Sequence, residues 1–131
     1  MRKRNNWQVI KGQPLTELDK KILYLQNKGH LVPSRKLIKT EEQIEGIRKS
    51  GVVNSGILDL VGKEIKAGMS TAEIDKLVYD YTISHGAIPA PLNFEGFPKS
   101  VCTSVNEVVC HGIPSEKEIL REGDIINVDV S

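Results

Sequence analysis

Four side chains suited to acid–base or ligand chemistry fall in one short part of this 131-residue sequence: Cys102, Cys110, His111 and Asp129. They lie in Phe97-Pro-Lys-Ser-Val-Cys102-Thr-Ser-Val-Asn106-Glu-Val-Val-Cys110-His111-Gly112-Ile-Pro114 and, after an acidic loop, in Gly123-Asp-Ile-Ile-Asn127-Val-Asp129-Val-Ser131. A neutral imidazole at His111 could hydrogen-bond a substrate peptide group or bind a metal; the plainer alternative is a packed or surface histidine. In an extended 125–131 run, Ile126, Val128 and Val130 face one way and Ile125, Asn127, Asp129 and Ser131 the other. Asp129 is then either the wet side of a half-buried strand or a carboxylate ligand for a divalent cation. Cys102 and Cys110 form no Cys-x-x-Cys pair and read as buried, reduced thiols rather than a disulfide or a zinc site. Glu107 is expected to be exposed.

These groups need elements to hold them, and the expected elements are as follows. Ser100–Val105 alternates as a strand, with Val101, Thr103 and Val105 opposite Cys102 and Ser104. Val108–His111 reads as a second short strand, so the His111 ring is expected at a strand end beside the Gly112-Ile-Pro114 turn. Leu120–Asp124 is a turn into the last strand. Prolines 89 and 91 exclude a helix over 88–94, leaving an edge strand or an extended lining.

Upstream, two capping boxes announce helices: Thr40 with Gln43, and Ser70 with Glu73. The first helix carries Ile44, Ile47, Gly51, Leu58, Val61 and Ile65 on its expected apolar face, with Gly51, Ser55 and Gly56 permitting close packing and Gly68 as its stop. The second carries Ile74, Leu77, Val78 and Tyr81 and ends at Gly86. A shorter helix is expected over 16–28, where Leu18, Ile22 and Leu25 share a face and Gly29 closes it. Residues 1–13 are expected to be flexible and His30–Lys39 an extended linker.

The composition, 39% hydrophobic and 27% charged, is that of a globular domain and excludes a disordered or collagen-like chain. No apolar run approaches the roughly 20 residues of a membrane span, and the amino end lacks a secretory signal. The net charge of +1 is unevenly placed. Residues 1–39 hold ten Lys/Arg against Glu17 and Asp19, whereas the remainder holds eight basic and fifteen acidic residues. The basic segment is either a solvated face or a clamp on the acidic body, or an arm for a polyanion such as ribosomal RNA.

The run 97–114 followed by 123–130 resembles type 1 methionine aminopeptidase, and Gly51, Gly68-Met-Ser-Thr71 and Pro91-Leu-Asn-Phe94 are similar to that family too. The resemblance covers Thr40–Ser131. It implies an α+β chain of the pita-bread (creatinase/aminopeptidase) fold, with only the first of two pseudo-symmetric halves present. Residues 1–39 would then be a basic N-terminal extension with a short helix, and 40–131 the first half of the catalytic domain. The implied activity is metal-dependent removal of the initiator methionine from nascent proteins in the cytoplasm. Two divalent metal ions (cobalt, manganese, iron or zinc) and, in some members, a monovalent cation are the implied cofactors.

Carried over by the resemblance, Asp129 matches the first of five metal ligands and His111 the histidine that hydrogen-bonds the scissile peptide group. Phe94, Phe97 and Cys102, with Pro91 beside them, match the pocket for the methionine side chain. Asn106 and Val108 match the monovalent-cation positions. Many members have Tyr where Phe94 stands, a change expected to alter pocket polarity more than reaction type. The other four metal ligands match nothing up to Ser131, so the 131-residue chain alone is expected to be inactive. It is also expected to aggregate through an unpaired strand edge and uncovered helix faces. The implied partners are nascent N-termini and, through residues 1–39, the ribosome, with no membrane and no DNA. The rival expectation is a non-catalytic interaction module of the same fold.

Overall fold

In the computed structural model, which describes residues 7–131, helices begin where the sequence can close a capping box. The Thr40 hydroxyl accepts from the Gln43 N–H at 3.2 Å and the Gln43 amide oxygen accepts from the Thr40 N–H at 2.9 Å. Ser70 and Glu73 make the same exchange at 3.2 and 2.7 Å. The Ser70 backbone and hydroxyl hydrogen bonds hold the Glu73 carboxyl below the usual carboxylate range. Thr16 and Asp19 form a third box, at 3.1 and 2.9 Å. Each box satisfies backbone donors that the first helical turn leaves open. The helices are α1 (Glu17–Asn27), α2 (Glu41–Glu64) and α3 (Thr71–Ser84), and the strands are β1 (Cys102–Val105) and β2 (Ile126–Asp129). The chain divides into two compact units at Glu45/Gly46. Among the described residues no helix is long and apolar enough to cross a membrane.

The first unit corrects the expectation of a loose leader. Trp7, Ile22 and Val32 are buried together, with Leu23 and Leu25 packed against them. Asp19 sits among them and accepts from the Trp7 indole N–H at 2.7 Å and the Thr16 hydroxyl at 2.6 Å. The Arg35 guanidinium pairs with the same carboxylate, lies 4.6 Å over the Trp7 ring and donates to the Gln8 carbonyl at 3.0 Å. The 30–39 segment is therefore anchored at Val32 and Arg35, though most of it is exposed, and carries a short 3-10 turn at Arg35–Leu37, because Val32 and Arg35 have non-local partners that no local pattern reveals. Of the expected face of α1, Ile22 is buried and Leu25 packs against its cluster, whereas Leu18 is exposed and Asp19 is buried. The part of residues 1–13 before Trp7, including Arg2, Lys3 and Arg4, for which flexibility was expected, lies outside the described residues.

The second unit has one core of Ile57, Val61, Met69, Ile74, Val78, Val101, Val105 and Leu120. The stripe of α3 is as expected, with Ile74 and Val78 buried and Leu77 and Tyr81 partly so. That of α2 is not. Ile47 and Leu58 are 56% and 49% exposed, and the inward row is Val53, Ile57, Val61 and Ile65 at successive four-residue steps. Of the two glycines, Gly56 meets a neighbour closely: a Cβ there would lie 2.1 Å from the Tyr81 hydroxyl, while Gly51 faces open space.

Strands β1 and β2 pair antiparallel in the register Cys102↔Asp129, Thr103↔Val128, Ser104↔Asn127, Val105↔Ile126. In β2 the expected alternation holds, with Ile126, Val128 and Val130 half-buried and Asn127, Asp129 and Ser131 exposed. In β1 both faces are covered and every residue from Val101 to Val105 is buried. The start of β1 is tied to α3, since Asp75 accepts from the Ser100 N–H at 2.7 Å and pairs with Lys99 at 3.5 Å. One expected strand is absent, and of the two alternatives for 88–94 the edge strand does not form. Val108–His111 is irregular, because Asn106 and His111 take left-handed backbone conformations (φ 50° and 56°) that bend the chain out of a ladder. Over 88–94 the chain turns, and a 3-10 turn follows at Phe94–Gly96.

Two stability predictions follow from these contacts. Thr103 is 1% exposed and its hydroxyl has no hydrogen-bond partner. Thr103→Val, which keeps the branched shape, is expected to raise urea-unfolding stability by about 1 kcal/mol. Asp19 is held down to about 2, first by the Thr16 hydroxyl and backbone, then by the Trp7 indole, with Arg35 adding to them. A carboxyl depressed in the folded state stabilises above its unfolded value near 4, and that stabilisation fades as pH falls through about 2. Fluorescence of Trp7, the single tryptophan, should be flat above about pH 5 and change between about pH 4 and pH 2. Asp19→Asn should remove that pH dependence.

Candidate functional site

The site starts from strand register. Residues paired across two antiparallel strands project on the same face, so Cys102 and Asp129 leave the sheet together. Thr103 and Val128 leave on the opposite face, where Val128 packs on the core. Along the other edge of β1, the Thr103 N–H donates to the Gly112 carbonyl at 2.9 Å and the Gly112 N–H donates to the Ser104 hydroxyl at 3.2 Å. This approach is so close that a Cβ on Gly112 would lie 1.9 Å from the Thr103 carbonyl oxygen. His111 is thereby pinned beside β1. A third wall comes from 90–98, where the Ala90 N–H donates to the Ser131 carbonyl at 3.0 Å and the Asn93 N–H to the Phe97 carbonyl at 2.8 Å.

The three walls enclose a cavity of about 660 Å³. Pro91, Phe94, Phe97, Cys102, His111 and Asp129 all line it. Six residues singled out from the sequence are therefore brought together, and the imidazole and the carboxylate share one opening. Asn106 and Val108 do not line the cavity. The Asn106 amide donates to Asp124 at 2.8 Å and accepts from the Ile125 N–H at 3.1 Å, so its side chain is committed to holding the loop that leads into β2. The Asn106 amide and the Arg121 N–H in turn hold the Asp124 carboxyl below its ordinary range. The thiols also divide: Cys102 is buried, but Cys110 is exposed, contrary to the expectation for the pair, because the left-handed turn at His111 carries Cys110 outward. Burial pushes the Cys102 thiol up, and the Asp129 carboxylate across the strand pair and then Cys110 push it further. It is a protonated, polarisable wall group rather than a nucleophile.

Sequence reasoning missed Glu95 and Ile113, which also line the cavity. Asn93 and Gly96 beside Glu95 were the available signal, since both residue types favour the positive φ that they adopt, 65° and 85°. Electrostatically the lining holds two carboxylates, Asp129 and Glu95, and no lysine or arginine. Among the described residues no three His, Cys, Asp or Glu side chains are placed to hold a metal ion. The carboxylate of Asp129 alone does not make a two-ion centre.

The model of metallopeptidase family M24 matches residues 45–131. Over 91 residues the chain is 50% identical to methionine aminopeptidase 1 of Saccharomyces cerevisiae, covering 70% of this chain and 23% of that protein. Over 94 residues it is 54% identical to the mitochondrial methionine aminopeptidase 1D of Danio rerio, covering 72% and 28%. Among solved structures, methionine aminopeptidase from Rickettsia prowazekii superposes with a TM-score of 0.68 at 46% identity, over 71% of this chain and 37% of that one. The chain thus spans about a quarter of the length of these two curated relatives.

Gly112 gives the site its test. Gly112→Ala must displace either the Thr103 carbonyl or the His111 loop, and is expected to cost about 2 kcal/mol in urea unfolding. Hydrogen exchange at the Thr103 amide should accelerate in the variant as the bond to Gly112 is lost. An unshifted midpoint with a protected Thr103 amide would show that the loop is not pinned there.

Proposed function

Because the chain belongs to metallopeptidase family M24, we propose that it carries the methionine-binding side of a methionyl aminopeptidase, an enzyme that removes the initiator methionine from nascent proteins in the cytoplasm. Its fold is the α+β pita-bread fold of that family. The observation that supports the activity is the single cavity in which His111 and Asp129 face an apolar wall.

Under this reading an unbranched methionine side chain lies against Pro91, Phe94 and Phe97, where its thioether gains from aromatic contact. Cys102 forms the polarisable floor. The His111 imidazole donates to the carbonyl of the peptide bond that follows the methionine, and so favours the negative charge that develops on that oxygen during hydrolysis. Asp129 contributes one carboxylate toward divalent metal, of cobalt, manganese, iron or zinc type. The donors on this chain do not by themselves hold two such ions, so the 131 residues alone should bind methionine-led peptides without cleaving them. The excess of basic residues in 1–39 supports a docking role for that segment on ribosomal RNA.

The test is a titration of the ¹⁵N-labelled chain with Met-Ala-Ser and Ala-Ala-Ser, alongside an assay for released methionine with added Co²⁺ or Mn²⁺. Met-Ala-Ser is expected to shift the Phe97, Cys102, His111 and Ile113 amides well below the concentration at which Ala-Ala-Ser does so, with no methionine released. Equal response to the two peptides would remove the methionine pocket. Metal-stimulated release by the chain itself would refute the statement that its own ligands are insufficient.

A further inference from the structure

Glu95 is a cavity carboxylate that the proposed chemistry leaves unused. It occupies the middle of the Phe94–Gly96 turn with a left-handed backbone of its own, φ 49° and ψ 30°. The turn is closed from both sides, since the Asn93 N–H donates to the Phe97 carbonyl at 2.8 Å and the Phe97 N–H to the Phe94 carbonyl at 2.9 Å. The turn thus places a charged, solvent-exposed side chain on the cavity lining. The carboxylate has no hydrogen bond or ion pair with any described residue.

Depth in the cavity says which part of a ligand meets it. Cys102 is 9% exposed and forms the floor, while Phe94 beside Glu95 is 66% exposed and forms the rim. A methionine side chain directed at the floor leaves the following residues to exit past that rim. With Glu95 and Asp129 on the lining and no lysine or arginine there, the field at the mouth is negative. The α-ammonium is common to every peptide and cannot be a basis for choice, whereas the charge of the following side chains can.

We infer that Glu95 selects peptides by the charge of the residues that follow the N-terminal methionine, favouring lysine and arginine and disfavouring aspartate and glutamate. This rests on the methionine-pocket reading, and the experiment separates the two. The labelled chain is titrated at low salt with Met-Ala-Lys-Lys, Met-Ala-Ser-Ser, Met-Ala-Glu-Glu and Ala-Ala-Lys-Lys, reading the Cys102 and Ile113 amides. The lysine peptide is expected to bind about two- to fivefold more tightly than the glutamate peptide, the range for a solvent-accessible ion pair. The preference should shrink as salt is raised toward about 0.5 M. It should shrink in Glu95→Gln, where Asp129 is the remaining lining carboxylate, and shrink further or reverse in Glu95→Lys, each compared with the serine peptide as reference. An unaltered preference in both variants, with methionine selectivity retained, overturns the role of Glu95 alone. Equal binding of Ala-Ala-Lys-Lys and Met-Ala-Lys-Lys overturns the methionine pocket, and no response at either amide to any peptide overturns both.

Discussion

The antiparallel register that sets Cys102 opposite Asp129 is the constraint from which the site follows. Side chains alternate faces along a strand, so a slip of one residue would exchange the two faces of β2. Asp129 would then enter the apolar side now held by Val128 and Val130, and burying an unpaired carboxylate costs several kcal/mol. The core therefore enforces the register from behind. In front, Asn106 and Ile125 hold it at the far end of the pair, the Asn106 N–H donating to the Ile125 carbonyl at 2.9 Å and the Asn106 side-chain oxygen accepting in return.

Regular structure supplies the reference frame, but most of the cavity lining lies on irregular chain. His111 reaches the site through a left-handed residue next to a glycine in close contact with β1, and Phe94, Glu95 and Phe97 through a turn with three positive-φ residues. A strand would have pointed neighbouring side chains to opposite faces; turns let Phe94, Glu95 and Phe97 converge on one side. This division of labour explains why the lining resists simple pattern analysis. The two-stranded sheet and the helix caps fix distances, and the loops aim the groups.

The legible parts of the molecule are those governed by neighbours in sequence. The Thr40–Gln43 and Ser70–Glu73 boxes and the alternation of β2 each depend on residues within a few positions, and they stand where the sequence places them. On α2 the expected face ran through Ile47, Leu58, Val61 and Ile65; packing against Met69, Ile74 and Val78 keeps Val61 and Ile65 and takes Val53 and Ile57 in place of Ile47 and Leu58. Val108–His111 looks β-rich because of its two valines, which outweighed the weaker signal that Asn106 and His111 are types favouring the left-handed backbone they adopt. The order in 7–39 comes from the Trp7, Asp19 and Arg35 contacts, with partners up to twenty-seven residues apart when the Arg35–Gln8 bond is included. The convergence of His111, Asp129 and the Pro91–Phe97 wall was available from family resemblance; Glu95 was signalled only by the turn-forming Asn93 and Gly96 beside it, and Ile113 required coordinates.

The unequal surroundings of the two thiols also bear on oxidative injury. Peroxide attacks the thiolate and not the thiol, so a sulfur kept protonated by burial and a facing carboxylate is shielded from sulfenic acid formation. Cys110, lying open to solvent one residue before His111, would be oxidised first and would act as a sacrificial neighbour. Damage there would add bulk and polarity to the turn that aims the imidazole, while leaving the buried sulfur chemically intact.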